Sequence, residues 1–262
     1  MLYIVATPIG NLKEITHRAI ETLNQVDYIL CEDTRTSKVL LDNYNITKPL
    51  KSYHKFNEIK ASSEIINDLI NGKEIALISD AGMPGISDPG NILVNELIRE
   101  NLPYTVISGP SAFVNAFVLS GFQTPFTFVG FLPDNNTKRK ELLDSIADTQ
   151  TCLIFYCSPH SITNDLELLH KTLGDRQICV VREISKKFEE VTFSNLSDGF
   201  EGTIKGEFVV IVNKPEKTIS GGDISKDLKT LLDMGISKSD ASKILSKVHN
   251  VKKNEIYKET LR

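Results

Sequence analysis

The residues best suited to chemistry concentrate in one stretch, Ser79-Asp80-Ala81-Gly82-Met83-Pro84-Gly85-Ile86-Ser87-Asp88-Pro89-Gly90. Three glycines, two prolines and two aspartates in twelve residues rule out regular helix or strand. Glycine permits positive φ and close backbone approach, proline fixes φ, and the aspartates supply acceptors. An apolar run at 75–78 precedes the stretch and an amphipathic run at 92–98 follows it, so it joins a buried strand to a helix. A rigid Gly-rich loop at the C-terminal end of a strand is where open α/β sheets bind ligands. The same composition also serves ordinary strand-to-helix connections, so the elements around it must decide.

Those elements alternate. Tyr3–Val5 reads as a strand, followed by the turn Thr7-Pro8-Ile9-Gly10-Asn11 and a helix capped by Thr16 with Ala19, Ile20, Leu23 and Val26 on its apolar face. Tyr28–Cys31 is a second strand ending on Glu32-Asp33-Thr34-Arg35, with a helix from Ser37 to Tyr44 and a weaker strand at 50–53. A helix carrying Ile59, Ile65, Ile66, Leu69 and Ile70 stops at Asn71-Gly72. Tyr104–Ile107 is a further strand, ending on Ser108-Gly109-Pro110-Ser111-Ala112. Repeated βα units predict a mostly parallel sheet whose polar loops converge on one edge. After Gly121–Pro125 the pattern changes. Strands at 126–130, 151–156, 177–182, 191–193 and 208–212, with helices at 138–146 and 165–173, predict a second α/β domain of more antiparallel character.

The expected organisation is α/β: one domain over 1–121, a second over 122–213 with a cleft between them, then a linker and basic helical tail over 214–262. Leu228, Leu231 and Leu232 mark one tail helix. Ala241, Ile244, Leu245 and Val248 mark another, and Ile256, Tyr257 and Leu261 a third. Net charge is −4 over 262 residues, but residues 214–262 carry 11 Lys+Arg against 7 Asp+Glu. A basic tail on an acidic body suits an anionic partner. No run approaches the length of a membrane span, and the first strand lacks the basic flank of a signal peptide. Cys31, Cys152, Cys157 and Cys179 form no C-x-x-C pair, and the five histidines have no ligand spacing. Core thiols in a reducing cytoplasm and no metal site are expected.

Several nucleotide and hydrolase chemistries are excluded by missing motifs. The first strand leads to T-P-I-G-N-L rather than G-x-G-x-x-G, and no P-loop or G-x-S-x-G elbow occurs. Spacing alone stops at a two-domain α/β cleft protein.

The ordered strings go further. T-P-I-G-N-L at 7–12, C-E-D-T-R at 31–35, S-D-A-G-M-P-G-I-S-D-P-G at 79–90 and G-P-S-A at 109–112 are followed by F-V-G-F-L-P at 128–133. Y-C-S-P-H at 156–160, R-E-I-S-K-K-F-E-E at 182–190 and K-G-E-F-V-V-I-V at 205–212 complete the series. Together they resemble the ribosomal RNA small-subunit methyltransferase I family of the tetrapyrrole-methylase superfamily, over nearly all of residues 2–212. That resemblance implies a homodimer that moves a methyl group from S-adenosylmethionine to a cytidine 2′-hydroxyl in the decoding region of small-subunit rRNA, with the donor in the cleft. It implies a donor pocket built from Pro8, Gly10, Asp80, Ala81, Gly82, Met83, Ile86, Asp88, Ser111 and Ala112, met by Phe155, Tyr156 and Cys157.

For the ribose proton, Asp33 is the first candidate base, because E-D-T-R ends a strand facing the cleft, and Glu183 the second. Arg35 and Arg182 suit phosphate, and positioning without a dedicated base is the alternative. Met83, Cys157 and Ser161 depart from a commoner Thr, Glu and Arg in this family's pattern. The rival functions are a methyltransferase of the same fold acting on a tetrapyrrole or protein side chain, and a non-catalytic ribosome-assembly factor.

Overall fold

The computed structural model describes residues 1–215, 224–249, 253 and 256. Met1–Lys214 form one compact unit and the residues from Pro215 onward a second.

The first sheet is built from β1 (Leu2–Val5), β2 (Tyr28–Cys31), β3 (Leu50–Ser52), β4 (Ile75–Leu77) and β5 (Tyr104–Ile107), in the order β3-β2-β4-β1-β5. Every pairing is parallel. Its central strands are apolar without interruption because both faces are covered. Leu2, Ile4, Leu30, Ile75 and Leu77 enter one core, while Val5, Ile29, Cys31 and Ala76 enter the other. The covering helices are α1 (His17–Gln25), α2 (Thr34–Asn43), α3 (Glu58–Ile70) and α4 (Asn91–Arg99). Thr16 caps α1 as expected, accepting from the Ala19 N–H at 3.1 Å. Helix α2 starts three residues before the expected Ser37. Asp33 caps it by accepting from the Arg35 N–H at 2.8 Å, so the E-D-T-R string enters the helix rather than remaining a loop.

One helix has no counterpart among the expected elements. α5 (Ala112–Ser120) follows β5 directly. Its sequence, A-F-V-N-A-F-V-L-S, is apolar nearly all round, so it shows no helical period to read. Ala116 and Phe117 pack into the second sheet's core beside Ile154, Cys179, Val209 and Ile211.

The second sheet comprises β6 (Phe126–Phe131), β7 (Cys152–Cys157), β8 (Gln177–Arg182), β9 (Glu190–Asn195) and β10 (Phe208–Val212), ordered β6-β7-β10-β8-β9. Only β6 and β7 pair in parallel; the remaining pairings are antiparallel, as the sparser helix content implied. Helices α6 (Asn136–Ile146) and α7 (Ile162–Leu173) cover the face opposite α5. Cys152 and Cys157 face opposite sides of β7, and all four cysteines are buried free thiols.

In the second unit, α8 (Ile224–Asp233) and α9 (Lys238–Val248) join through Gly235, at φ +81°. Leu228, Ala241, Leu245 and Ile256 form its small core. The expected linker lies mostly outside the described residues, as do Tyr257 and Leu261 of the third tail helix. No helix among the described residues is long and apolar enough to cross a membrane.

Candidate functional site

The loops after β1, β4 and β5 meet at the C-terminal edge of the first sheet. Thr7 and Gly82 form an isolated antiparallel bridge. The buried Thr7 hydroxyl donates to the Ser79 carbonyl at 3.1 Å, and the buried Ser79 hydroxyl donates to the Gly82 carbonyl at 3.1 Å. Glycine is required where this loop turns into α4. Gly90 has φ +147°, and a Cβ there would lie 3.2 Å from Leu77 Cδ2 and 3.3 Å from the Gly85 nitrogen.

These loops wall a cavity of about 300 Å³. Ile9, Ala81, Gly82, Met83, Ile86, Ser87 and Asp88 line it from the first sheet's loops, and Ser111 and Ala112 from the head of α5. Phe131, Tyr156, Cys157, Ser158, Pro159, Ile184, Glu207, Phe208 and Val209 close it from the second sheet. The wall is mainly apolar, with a few hydroxyls and the carboxyls of Asp88 and Glu207. Burial pushes the Asp88 carboxyl up to about 6, the charges of Glu32 and Asp80 add to this, and the Ser79 hydroxyl opposes it. Burial likewise raises the Tyr156 phenol to about 12 and holds the Cys157 thiol neutral.

Of the expected pocket residues, Ala81, Gly82, Met83, Ile86, Asp88, Ser111, Ala112, Tyr156 and Cys157 lie on this wall. The other four are placed elsewhere. Pro8 is buried in the turn between Thr7 and Ile9. Gly10 approaches the 184–186 segment so closely that a Cβ would lie 3.1 Å from the Ile184 carbonyl oxygen. Phe155 points into the core on the α6–α7 side of β7. Asp80 faces an outer recess and accepts from the Asp33 N–H at 3.3 Å. Tyr156 packs on the α5 side of β7, and Phe155 and Cys157 on the other. Cys157 still reaches the wall because it ends the strand, whereas Phe155 lies deeper in the core. Ile9, Ser87, Phe131, Ser158, Pro159, Ile184, Glu207, Phe208 and Val209 were not among the expected lining residues. All nine sit inside strings already quoted, but nothing in the strings says that they share a cavity. That follows from the pairing of β6 with β7 and of β10 with β7 and β8.

Asp33 and Arg35 sit at the outer recess, with Glu32, Thr34, Ser52, His54, Lys55, Phe56 and Asp80. Arg35 donates to the Asp33 carboxylate from Nε at 3.1 Å and Nη2 at 2.6 Å. This pairing, with the Arg35 N–H, holds the Asp33 carboxyl at about 2. Glu183 accepts from Lys186 Nζ at 2.8 Å and from the Glu207 N–H at 3.0 Å, which lower its pKa. Arg182 pairs with Glu190 at 2.8 Å. None of these four lines the cavity. At the departing turn, the Ser161 hydroxyl accepts from the Ser158 N–H at 3.2 Å, so short polar groups close the 157–161 segment without an ion pair.

The model for tetrapyrrole (corrin/porphyrin) methylases matches residues 1–198. A relative from Halalkalibacterium halodurans, named ribosomal RNA small subunit methyltransferase I, is 39% identical, with 98% of this chain and 93% of the relative covered. The chain belongs to the ribosomal RNA small subunit methyltransferase I family, within the tetrapyrrole methylases. A second family member, from Mycoplasmopsis pulmonis, is 47% identical over 80% of this chain and 96% of its own length. The crystal structure of the methyltransferase CobJ shares the fold at TM-score 0.63, covering 81% of this chain and 93% of that one at 17% identity. Both family members bear the same name.

Proposed function

We propose that this protein is an S-adenosylmethionine-dependent methyltransferase that modifies the 2′-hydroxyl of a cytidine ribose in the decoding region of small-subunit rRNA, working as a cytoplasmic homodimer. The observation that carries the reading is the cavity under the Ser79–Gly90 loop, in a chain whose relatives are named for small-subunit rRNA methylation. The residues present suit that donor, which when bound supplies an activated methyl on a sulfonium. The apolar wall of Ile9, Met83, Ile86 and Val209 suits its adenine and methylene groups, and Asp88 supplies a carboxylate for its cationic centres. Ser111, the N-cap of α5, accepts no backbone N–H through its side chain, so the helix head presents donors to an anionic group.

Proton removal from the ribose does not need a strong base in this reading. Asp33 at about 2 and the lowered Glu183 are both poor proton acceptors, and both stand outside the cavity. Orientation of donor against hydroxyl is worth roughly 7–11 kcal/mol, and the chain's contribution is chiefly that alignment.

The test is incubation with methyl-labelled donor and either naked small-subunit rRNA or assembled small subunits, followed by mapping of the labelled nucleotide. Label on a single cytidine ribose is expected. Label on a base, on a protein, or on nothing while the donor binds overturns the reading.

A further inference from the structure

The outer recess holds a feature that the donor cavity does not use. Phe56 stands at its rim with 85% of its surface exposed, although it sits on an ordered turn. Asn57 fixes that turn twice: its Oδ1 accepts from the His54 N–H at 2.8 Å, and its Nδ2 donates to the Ser52 carbonyl at 3.0 Å. The Phe56 N–H itself donates to His54 Nδ1 at 3.3 Å. A large aromatic ring is therefore held out into water by a hydrogen-bonded loop. A ring held in this way offers an open face on which a planar ligand can stack.

The surroundings narrow that ligand. The Lys55 ammonium lies 5.0 Å from the ring centroid, and the His54 ring meets it edge-on at 6.0 Å. Arg35 is 90% exposed at its side chain and uses Nε and Nη2 on Asp33. The carboxyls of Glu32, Asp33 and Asp80 line the same recess. The cations favour phosphates, while the carboxylates accept from hydroxyl or exocyclic amino groups. An aromatic face, cations and acceptors together match one nucleotide of a single strand. Asp80 and Ala81 are consecutive residues, yet Asp80 lines this recess and Ala81 the donor cavity, so one loop forms a wall of both.

Resting on the RNA reading above, we propose that Phe56 is a stacking platform for an unpaired nucleobase of the substrate RNA, with Lys55 and Arg35 meeting the flanking phosphates. The recess is then the acceptor side of the site.

The chain contains no tryptophan, so Phe56→Trp places a single fluorescent reporter on the platform. Small-subunit rRNA should quench its emission saturably, with RNA affinity close to wild type. Phe56→Ala should weaken RNA binding roughly 5- to 150-fold, with donor affinity unchanged as the check on folding. Suppose wild type methylates RNA, yet the Phe56→Trp emission ignores that RNA and Phe56→Ala binds it normally. The platform is then overturned while the function stands. Quenching by RNA-free subunit proteins overturns it in favour of a protein contact. A wild-type protein that neither binds nor methylates RNA overturns the function, and this proposal with it.

Discussion

Thr7 and Gly82 exchange backbone hydrogen bonds, the Thr7 N–H donating at 2.8 Å and the Gly82 N–H at 3.1 Å, and so tie the first loop of the chain to the wall of the cavity. The Thr7 side chain adds a bond to the Ser79 carbonyl from a position 1% exposed. Thr7→Val keeps the shape but leaves that carbonyl without its hydroxyl donor. The expected cost is roughly 1–3 kcal/mol, read as a shift of the urea midpoint, with Thr7→Ser close to wild type. Equal stability of the Val variant would show that the hydroxyl does not hold the loop.

In the proposed donor site, Asp88 would link stability to donor binding with opposite signs. Its native pKa of about 6 exceeds the ordinary carboxylate value, so the native state retains a proton that the unfolded chain has already released. Stability from this group is therefore greatest below the ordinary value and falls as pH rises through about 6. Asp88→Asn should gain on the order of 1 kcal/mol at neutral pH, allowing for partial solvent screening. A cationic donor prefers the ionised carboxylate, so wild-type donor affinity should tighten as pH rises through about 6, and the Asn variant should lose that dependence. Calorimetric titration across the window, beside thermal melts, checks both. A variant that is neither more stable nor pH-independent would remove Asp88 from the donor site.

Asp33→Asn separates a cap from a base. Asparagine caps a helix as well as aspartate does, so α2 should start unchanged. The turnover rate at saturating donor and RNA should fall by only a few-fold, against the roughly 10²–10⁴ that a general base contributes. Single-turnover methylation measures this directly, and a loss in that larger range would restore Asp33 as the proton acceptor.

Much of this was legible beforehand because parallel strands covered on both faces are written as short, uninterrupted apolar runs. Tyr28–Cys31 and Ile75–Leu77 fall where their residues place them. α5 was hidden because its exposed face, with Val114, Val118 and Leu119, is as apolar as its buried one, so it carries no polar stripe. At the site, loop composition singled out Ser79–Gly90. Loop composition does not say which of two adjacent cavities a side chain enters, and so Asp80 and Ala81 part company. Glu207–Val209 stood within a quoted string, but their place on the cavity wall follows only from the pairing of β10 with β7 and β8.

Removal of the tail tests a different link. The M. pulmonis relative aligns over nearly its whole length yet covers 80% of this chain, a share close to that of Met1–Lys214. Truncation after Lys214 should leave donor affinity intact, raise the KM for rRNA, and make RNA binding less steeply dependent on salt, because fewer phosphates are neutralised. Unchanged KM and salt slope would show that the tail's net positive charge has no part in gripping RNA.

β10 is the last strand of the first unit, yet it lies at the centre of the second sheet, with Phe208 and Val209 on the cavity wall. The first sheet is complete once Ile107 has been made, whereas the second cannot close until Val212 has emerged. During synthesis the amino-terminal half can therefore fold early, but no nascent chain short of β10 can complete the cavity wall. The cavity is finished late and in one step.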